Sequence, residues 1–175
     1  PEYKVNYTTT YNLQPTTFLS YINARKQHTT ITNISEIAGS GIYVYNGDLS
    51  INSNSAPFNQ PYNIVLISTG TVTVTVPDVI FAPAGSVAIV APTINFNPVI
   101  TEANGVFIAN NISTGNTTNK GLKIIGNLIA QTSLTNGREW SDLNKPSLFI
   151  VFDKQKYIDL LPYLSTASYE WRQVQ

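Results

Sequence analysis

Short apolar runs rich in β-branched residues recur through the middle of this chain at a spacing of about 20 residues. Counted from Ile42, five such runs begin 22, 23, 19 and 16 positions apart, and turns rich in glycine, asparagine, proline and serine separate them. This self-similarity is typical of a solenoid in which each coil carries two or three short strands. The runs are Gly41–Tyr45, Ile64–Ile67, Val87–Val90, Val106–Ala109 and Leu122–Ile125.

The segments between these runs favour an all-β architecture. None of them shows the longer helical periodicity that alternating βαβ units require. Short strands with frequent turn signals also occur in antiparallel β-sandwiches, which stay the alternative fold. We predict a mostly β protein whose centre, residues 37–145, is a short right-handed parallel β-helix of about five coils.

The low charge of the chain fits stacked coils. Only 11% of the 175 residues are charged, against roughly 25% in a typical soluble domain. In a parallel β-helix each residue lies about 4.8 Å from its counterpart in the next coil. Like charges repel at that distance, whereas valine, isoleucine and threonine pack and asparagine can form hydrogen bonds along a ladder.

Composition also argues against several functional classes. The formal net charge is zero and no lysine or arginine lies between Lys26 and Lys120, so we expect no nucleic-acid partner. The chain has no cysteine, which excludes zinc-thiolate sites and thiol catalysis. We expect no cofactor and no metal. No apolar run approaches the length of a membrane span, so we expect none in this chain.

Both flanks of the repeat differ from it. Residues 1–36 are predicted to form an N-terminal arm. Apolar and polar residues alternate over 2–13, which predicts a strand. A threonine cap and cations in the last turn predict a helix over 16–27. One face of the strand carries Tyr3, Val5, Tyr7, Tyr11 and Leu13. Residues 146–175 are predicted to cap or flank the solenoid, and they contain a possible aromatic contact face of Tyr157, Tyr163, Tyr169 and Trp171.

A family resemblance follows from these motifs. The run Gly41–Ile51, the coils Ile-Val-Leu-Ile, Val-Ala-Ile-Val and Val-Phe-Ile-Ala, and the endings Phe152-Asp-Lys and Tyr169-Glu-Trp-Arg resemble short right-handed β-helix domains of candidate-phylum bacterial surface proteins. More distantly, the short coils are similar to those of the bactofilins. The resemblance covers about residues 37–175. It implies an extracellular or cell-surface location and polymerisation by end-to-end stacking, and it brings no catalytic residues.

No set of residues predicts catalysis. Asp78 and Glu102 are 24 positions apart, which is near one coil, but solvated turn residues are the better interpretation because we expect no cation beside them in the coils. His28 is the single histidine, and we interpret it as an exposed linker residue.

The sequence therefore predicts a non-enzymatic extracellular structural protein, the subunit of a self-assembling filament or surface layer. The arm would pair either within its own molecule or with the edge of a neighbouring subunit, and the second option gives a head-to-tail homopolymer. The alternative is a carbohydrate-binding adhesin or phage-fibre module with a glycan partner.

Overall fold

The computed structural model describes residues 19–20, 22–23, 26–52, 56–75 and 85–165. Leu19, Ser20, Ile22 and Asn23 have helical backbone and lie within the helix predicted over 16–27, whereas the strand predicted over 2–13 lies outside the described residues. The strands are β1 (Thr29–Ile31), β2 (Gly41–Tyr45), β3 (Leu49–Ile51), β4 (Asn63–Ser68), β5 (Thr71–Val74), β6 (Ser86–Phe96), β7 (Glu102–Thr118), β8 (Leu122–Glu139) and β9 (Leu148–Phe152). The helices are two short 3-10 turns, Ile34–Glu36 and Ala56–Asn59, and α1 (Lys154–Leu164).

The strands stack in parallel, and the parallel β-helix prediction is confirmed. One ladder runs β1-β2-β4-β6-β7-β8-β9, and a second joins β3 to β5 and β5 to the later part of β6. The stacked coils form a β-solenoid of about 4 turns, close to the five coils expected. The antiparallel sandwich is wrong, because every pairing between the described strands is parallel.

The ladder extends past the residues 37–145 that the sequence assigns to the coils. At its beginning β1 pairs with β2, and at its end β9 pairs with β8. Three residues such as Thr29–Ile31 are too few to show a repeat in the sequence. The strand β9 lies in the segment that the sequence assigns to a cap, and it adds one more rung to the sheet.

The interior of the solenoid is a continuous apolar column. Leu66, Ile89 and Phe107 occupy equivalent positions in successive coils and are at most 1% exposed. The ring of Phe107 meets the ring of Phe96 edge to face, with 5.0 Å between the ring centroids. Because each side chain lies against its counterpart in the next coil, burial of apolar surface is repeated along the whole ladder.

A second apolar cluster lies on the outer face of the sheet formed by β2, β4, β6 and β7. Val65, Val90 and Ile108 point away from the interior and pack with Leu160 of α1 and with Ile22. Both faces of these strands are therefore buried, which explains why their sequences are continuous apolar runs instead of alternating ones. The C-terminal segment thus covers a flank of the solenoid through α1.

The end of α1 is fixed by a lysine from the other flank. Asp153 caps the beginning of the helix, accepting a hydrogen bond from the Gln155 backbone N–H. At the other end the Lys26 ammonium donates to the carbonyl oxygens of Pro162, at 2.6 Å, and Tyr163, at 3.1 Å. A cation at a helix C-terminus also interacts favourably with the helix dipole. Partial burial lowers the pKa of Lys26 below its ordinary value.

Two stacked glycines occupy equivalent positions in β7 and β8. Gly105 pairs with Gly126, and their φ angles are +150° and +136°. A Cβ atom at Gly105 would lie 2.9 Å from the carbonyl oxygen of Val87, and a Cβ atom at Gly126 would collide with the backbone of Gly105. This position therefore requires glycine in both coils.

We expect Gly126→Ala to lower the free energy of unfolding by about 2 kcal/mol or more, since it adds both backbone strain and a backbone collision. Gly39→Ala is the matched control, because a Cβ atom there would meet no atom within 4 Å and the φ angle needs no glycine. Urea denaturation of the two variants measures the difference. Equal midpoints for both variants would show that position 126 tolerates a side chain.

Candidate functional site

The first end of the solenoid begins with the short strand β1 and a 3-10 turn. Ile31 and Ile37 are buried there, and the partly buried Ile34 packs against the same core. The 3-10 turn Ile34–Glu36, which follows β1 in the chain, has a complete capping box. The Asn33 side chain accepts from the Ser35 backbone N–H at 2.9 Å, and the Glu36 carboxylate accepts from the Asn33 backbone N–H at 2.8 Å.

The opposite end exposes apolar side chains. Phe149, Ile150 and Phe152 of β9 are 52%, 42% and 62% exposed. Ile150 lies in register with Ile124, which is fully buried inside the solenoid, so Ile150 continues an interior row without a further coil to cover it. In the part of the chain that the structure describes, β9 is the last strand of the ladder.

The outer edge of β9 also carries backbone hydrogen-bonding groups. The Leu122 N–H donates to the Ser147 carbonyl, and the Asp153 N–H donates to the Gly126 carbonyl. In a parallel pair alternate residues bond to the same neighbouring strand. The N–H and C=O groups of Leu148, Ile150 and Phe152 therefore point away from β8, toward the open edge. This edge, together with the exposed side chains of β9, is called the open end below.

Of the residues that the sequence predicts as contact sites, the structure describes only Tyr157 and Tyr163. The arm residues Tyr3, Val5, Tyr7, Tyr11 and Leu13 lie outside the described residues, as do Tyr169 and Trp171. Tyr157 is 38% exposed, whereas Tyr163 packs against the outer apolar cluster. Six positions on a helix turn the side chain by about 240°, so these two tyrosines do not form one contact face.

Among the residues that the sequence offered for catalysis, Glu102 and His28 make structural contacts. Glu102 forms a salt bridge of 3.1 Å with Lys123 of the next coil, which corrects the expectation that no cation lies beside it. Asp78 lies outside the described residues. His28 is half-buried, with its Nδ1 atom 3.1 Å from the carbonyl oxygen of Lys26. Over the described ranges, no three histidine, aspartate or glutamate side chains are grouped closely enough to hold a metal ion.

Arg138 is a buried cation that sequence reasoning missed. Its side chain is 2% exposed, and the guanidinium donates to the carbonyl oxygens of Thr114, Ile100, Gly121 and Asn97 at 2.6 to 3.2 Å. Desolvation lowers the pKa of Arg138. These bonds tie β8 to two earlier coils and fix the turn at Gly121, so the charge is satisfied by backbone dipoles.

A row of small polar side chains follows the outside of the second ladder. Thr71, Thr93, Asn111 and Ser133 lie in register, and the Ser133 hydroxyl donates to the Asn111 side-chain oxygen at 2.8 Å. The sequence spacings of these residues are 22, 18 and 22, so the row is hidden when the coils are compared at a constant offset. Asparagine and threonine thus connect neighbouring coils, as their abundance suggests.

No protein-family model, curated protein or solved structure matches this chain. In the described ranges no helix has both the length and the apolar character needed to cross a membrane. The two ends of the solenoid differ. The first presents exposed threonines of β1 and a 3-10 turn with a capping box, and the other offers a strand edge with apolar side chains.

The capping box predicts a pH-dependent stability of the first coil. Hydrogen bonds, first from the Thr32 hydroxyl and then from the Thr32 and Asn33 backbone N–H groups, hold the pKa of Glu36 below its ordinary value of 4.5. The Glu36 carboxylate stabilises the folded state at pH values above 4.5. This stabilisation is lost as the pH falls through the lower pKa of the folded state. We expect Glu36→Gln to unfold at a lower temperature than the wild type at neutral pH, and this difference to shrink in acid.

Thermal unfolding followed by circular dichroism across this pH range measures the difference. The same substitution at the exposed Glu139 is the matched control. A difference between Glu36→Gln and the wild type that stays constant down to strongly acidic pH would contradict a role for the Glu36 carboxylate.

Proposed function

We propose that this protein is a non-enzymatic structural subunit that assembles by β-strand addition at the open end of its solenoid. The observation that carries the proposal is β9, which combines exposed aromatic and aliphatic side chains with outward-pointing backbone groups. An exposed, apolar strand edge is a template for pairing with another strand. In strand addition the backbone hydrogen bonds provide affinity, and alternate side chains provide specificity.

The N-terminal segment of a second copy has the pattern that this edge requires. Over residues 2–13, tyrosine, valine and leucine alternate with polar residues, so an extended strand presents one apolar face. That face would cover Ile150 and Phe152, while the polar face would meet water. The segment is longer than the five residues of β9, so a complete pairing needs only part of it.

The difference between the two ends gives the assembly a direction. The first end begins with β1, whose Thr29 and Thr30 side chains are exposed and polar, so direct stacking of this end on the apolar β9 is disfavoured relative to strand addition. One copy donates its N-terminal segment and accepts the segment of the next copy at β9. Such a heterologous contact produces an open chain whenever its rotation does not close into a ring. A location outside the cell or at its surface rests on the resemblance to bacterial surface proteins alone.

Two variants separate donation from acceptance. Deletion of residues 1–13 removes the donor, and Ile150→Pro removes an outward N–H from an edge position where proline does not break the pairing with β8. We expect the full chain to form large assemblies, and each variant alone to be a folded monomer. An equimolar mixture of the two variants should give a discrete dimer, because only one donor and one acceptor remain. Analytical ultracentrifugation and negative-stain microscopy measure these states.

The arm itself provides a matched pair of variants. Replacing Tyr3, Val5 and Tyr7 by serine should abolish assembly, whereas replacing Glu2, Lys4 and Asn6 by serine on the opposite face should preserve it. Circular dichroism checks that the solenoid stays folded in each. A wild-type chain that stays monomeric at high concentration, or an arm deletion that assembles like the wild type, would refute the proposal.

A further inference from the structure

A cleft of about 300 Å³ lies beside the last coils, on the outside of the solenoid. One wall is the turn Asn119–Leu122, and the other contains Trp140, Pro146 and Phe149. Lys123 lies between them, since it is in register with Glu102 of the preceding coil and with Phe149 of the following one. A concave surface with aromatic walls and a few polar groups is the usual form of a small-ligand site.

The walls of the cleft are fixed in position. The Trp140 indole N–H donates to the Pro146 carbonyl oxygen at 3.1 Å, and the Lys145 ammonium lies 5.3 Å from the centre of the indole ring. The opposite turn is fixed by Asn119, whose φ angle is +57° and whose side-chain oxygen accepts from the Ser141 backbone N–H. A rigid site binds a ligand with a smaller loss of conformational entropy.

The charge of the cleft is positive. Lys123 is neutralised by Glu102, whereas Lys120 is exposed and forms no ion pair with any described residue. Lys120 is the first cation in the sequence after Lys26, so it lies at the start of the only cationic stretch of the coils. An ammonium group beside an aromatic surface favours a ligand that carries both an anion and an apolar face.

The backbone around the cleft restricts the class of ligand further. Phe149 is the residue of β9 that lines the cleft, and its backbone groups point toward β8, so the cleft itself offers no free strand edge to an extended peptide. A compact ring that rests on an aromatic side chain fits the short cleft better. We infer that this cleft binds an acidic saccharide, with a pyranose ring on Phe149 and Trp140 and its carboxylate at Lys120. Phe149 also belongs to the open end, whereas Lys120 and Trp140 lie outside β9, so variants of Lys120 distinguish this inference from the assembly proposed above.

Fluorescence of Trp140 tests the inference directly. The chain has two tryptophans, so Trp171→Phe leaves Trp140 as the only indole. We expect trigalacturonate to change its emission with saturation, and the affinity to fall as salt is added. In the same background Lys120→Glu and Phe149→Ser should each weaken binding about tenfold, since one reverses the charge and the other removes the ring surface. Both residues are exposed, so the fold is retained.

Matched controls distinguish this site from general charge effects. Lys154→Glu makes the same charge change at an exposed position outside the cleft and should bind within about twofold of the background protein. Fully methyl-esterified trigalacturonate has the same rings without the charge and should bind at least about tenfold more weakly than the acid. The absence of saturable binding, equal binding of the ester, or equal binding of triglutamate would overturn the inference. Lys120→Glu should leave assembly unchanged in ultracentrifugation.

Discussion

The structure depends on parallel stacking of coils in register. Each side chain lies about 4.8 Å from the residue at the same position in the next coil, so like charges at equivalent positions destabilise the fold at every internal rung. This constraint accounts for the low charge and for the rows of threonine, serine and asparagine. Where charges do stack, they are opposite, as in Glu102 and Lys123 at 3.1 Å. The stacking also leaves two unlike ends, and the functional proposal follows from that difference.

The coils were predictable because their apolar runs recur on neighbouring rungs. In runs such as Ile64–Ile67 apolar residues do not alternate with polar ones, which indicates burial on both faces. The outer face is covered by α1 and by Ile22. The sequence does not show which helix covers which strand. That arrangement depends on contacts between distant segments, such as the Lys26 ammonium with the carbonyl oxygens at the end of α1.

The candidate sites were less predictable, because they depend on register between coils of unequal length. Arg138 looks like an ordinary surface cation in the sequence, yet it is buried and donates to backbone carbonyls from two earlier coils and a neighbouring turn. The open end was hidden for another reason. The segment Leu148–Phe152 has the composition of a buried core strand, and only the strand order shows that it lies at an edge of the described ladder.

A solenoid with two open ends would have no control over its partners, since each edge could pair with any exposed strand. The two terminal strands of the described ladder differ: β1 has three residues, two of them exposed threonines, whereas β9 has five and exposes apolar side chains, so β9 is the acceptor in the proposed assembly. With one acceptor per copy, each junction requires a donor segment from a different part of the chain. Growth is then directional, and its specificity depends on the alternation of that donor. In the proposed assembly, the stacking that excludes charge from the coils therefore leaves the specificity of pairing to residues outside the repeat.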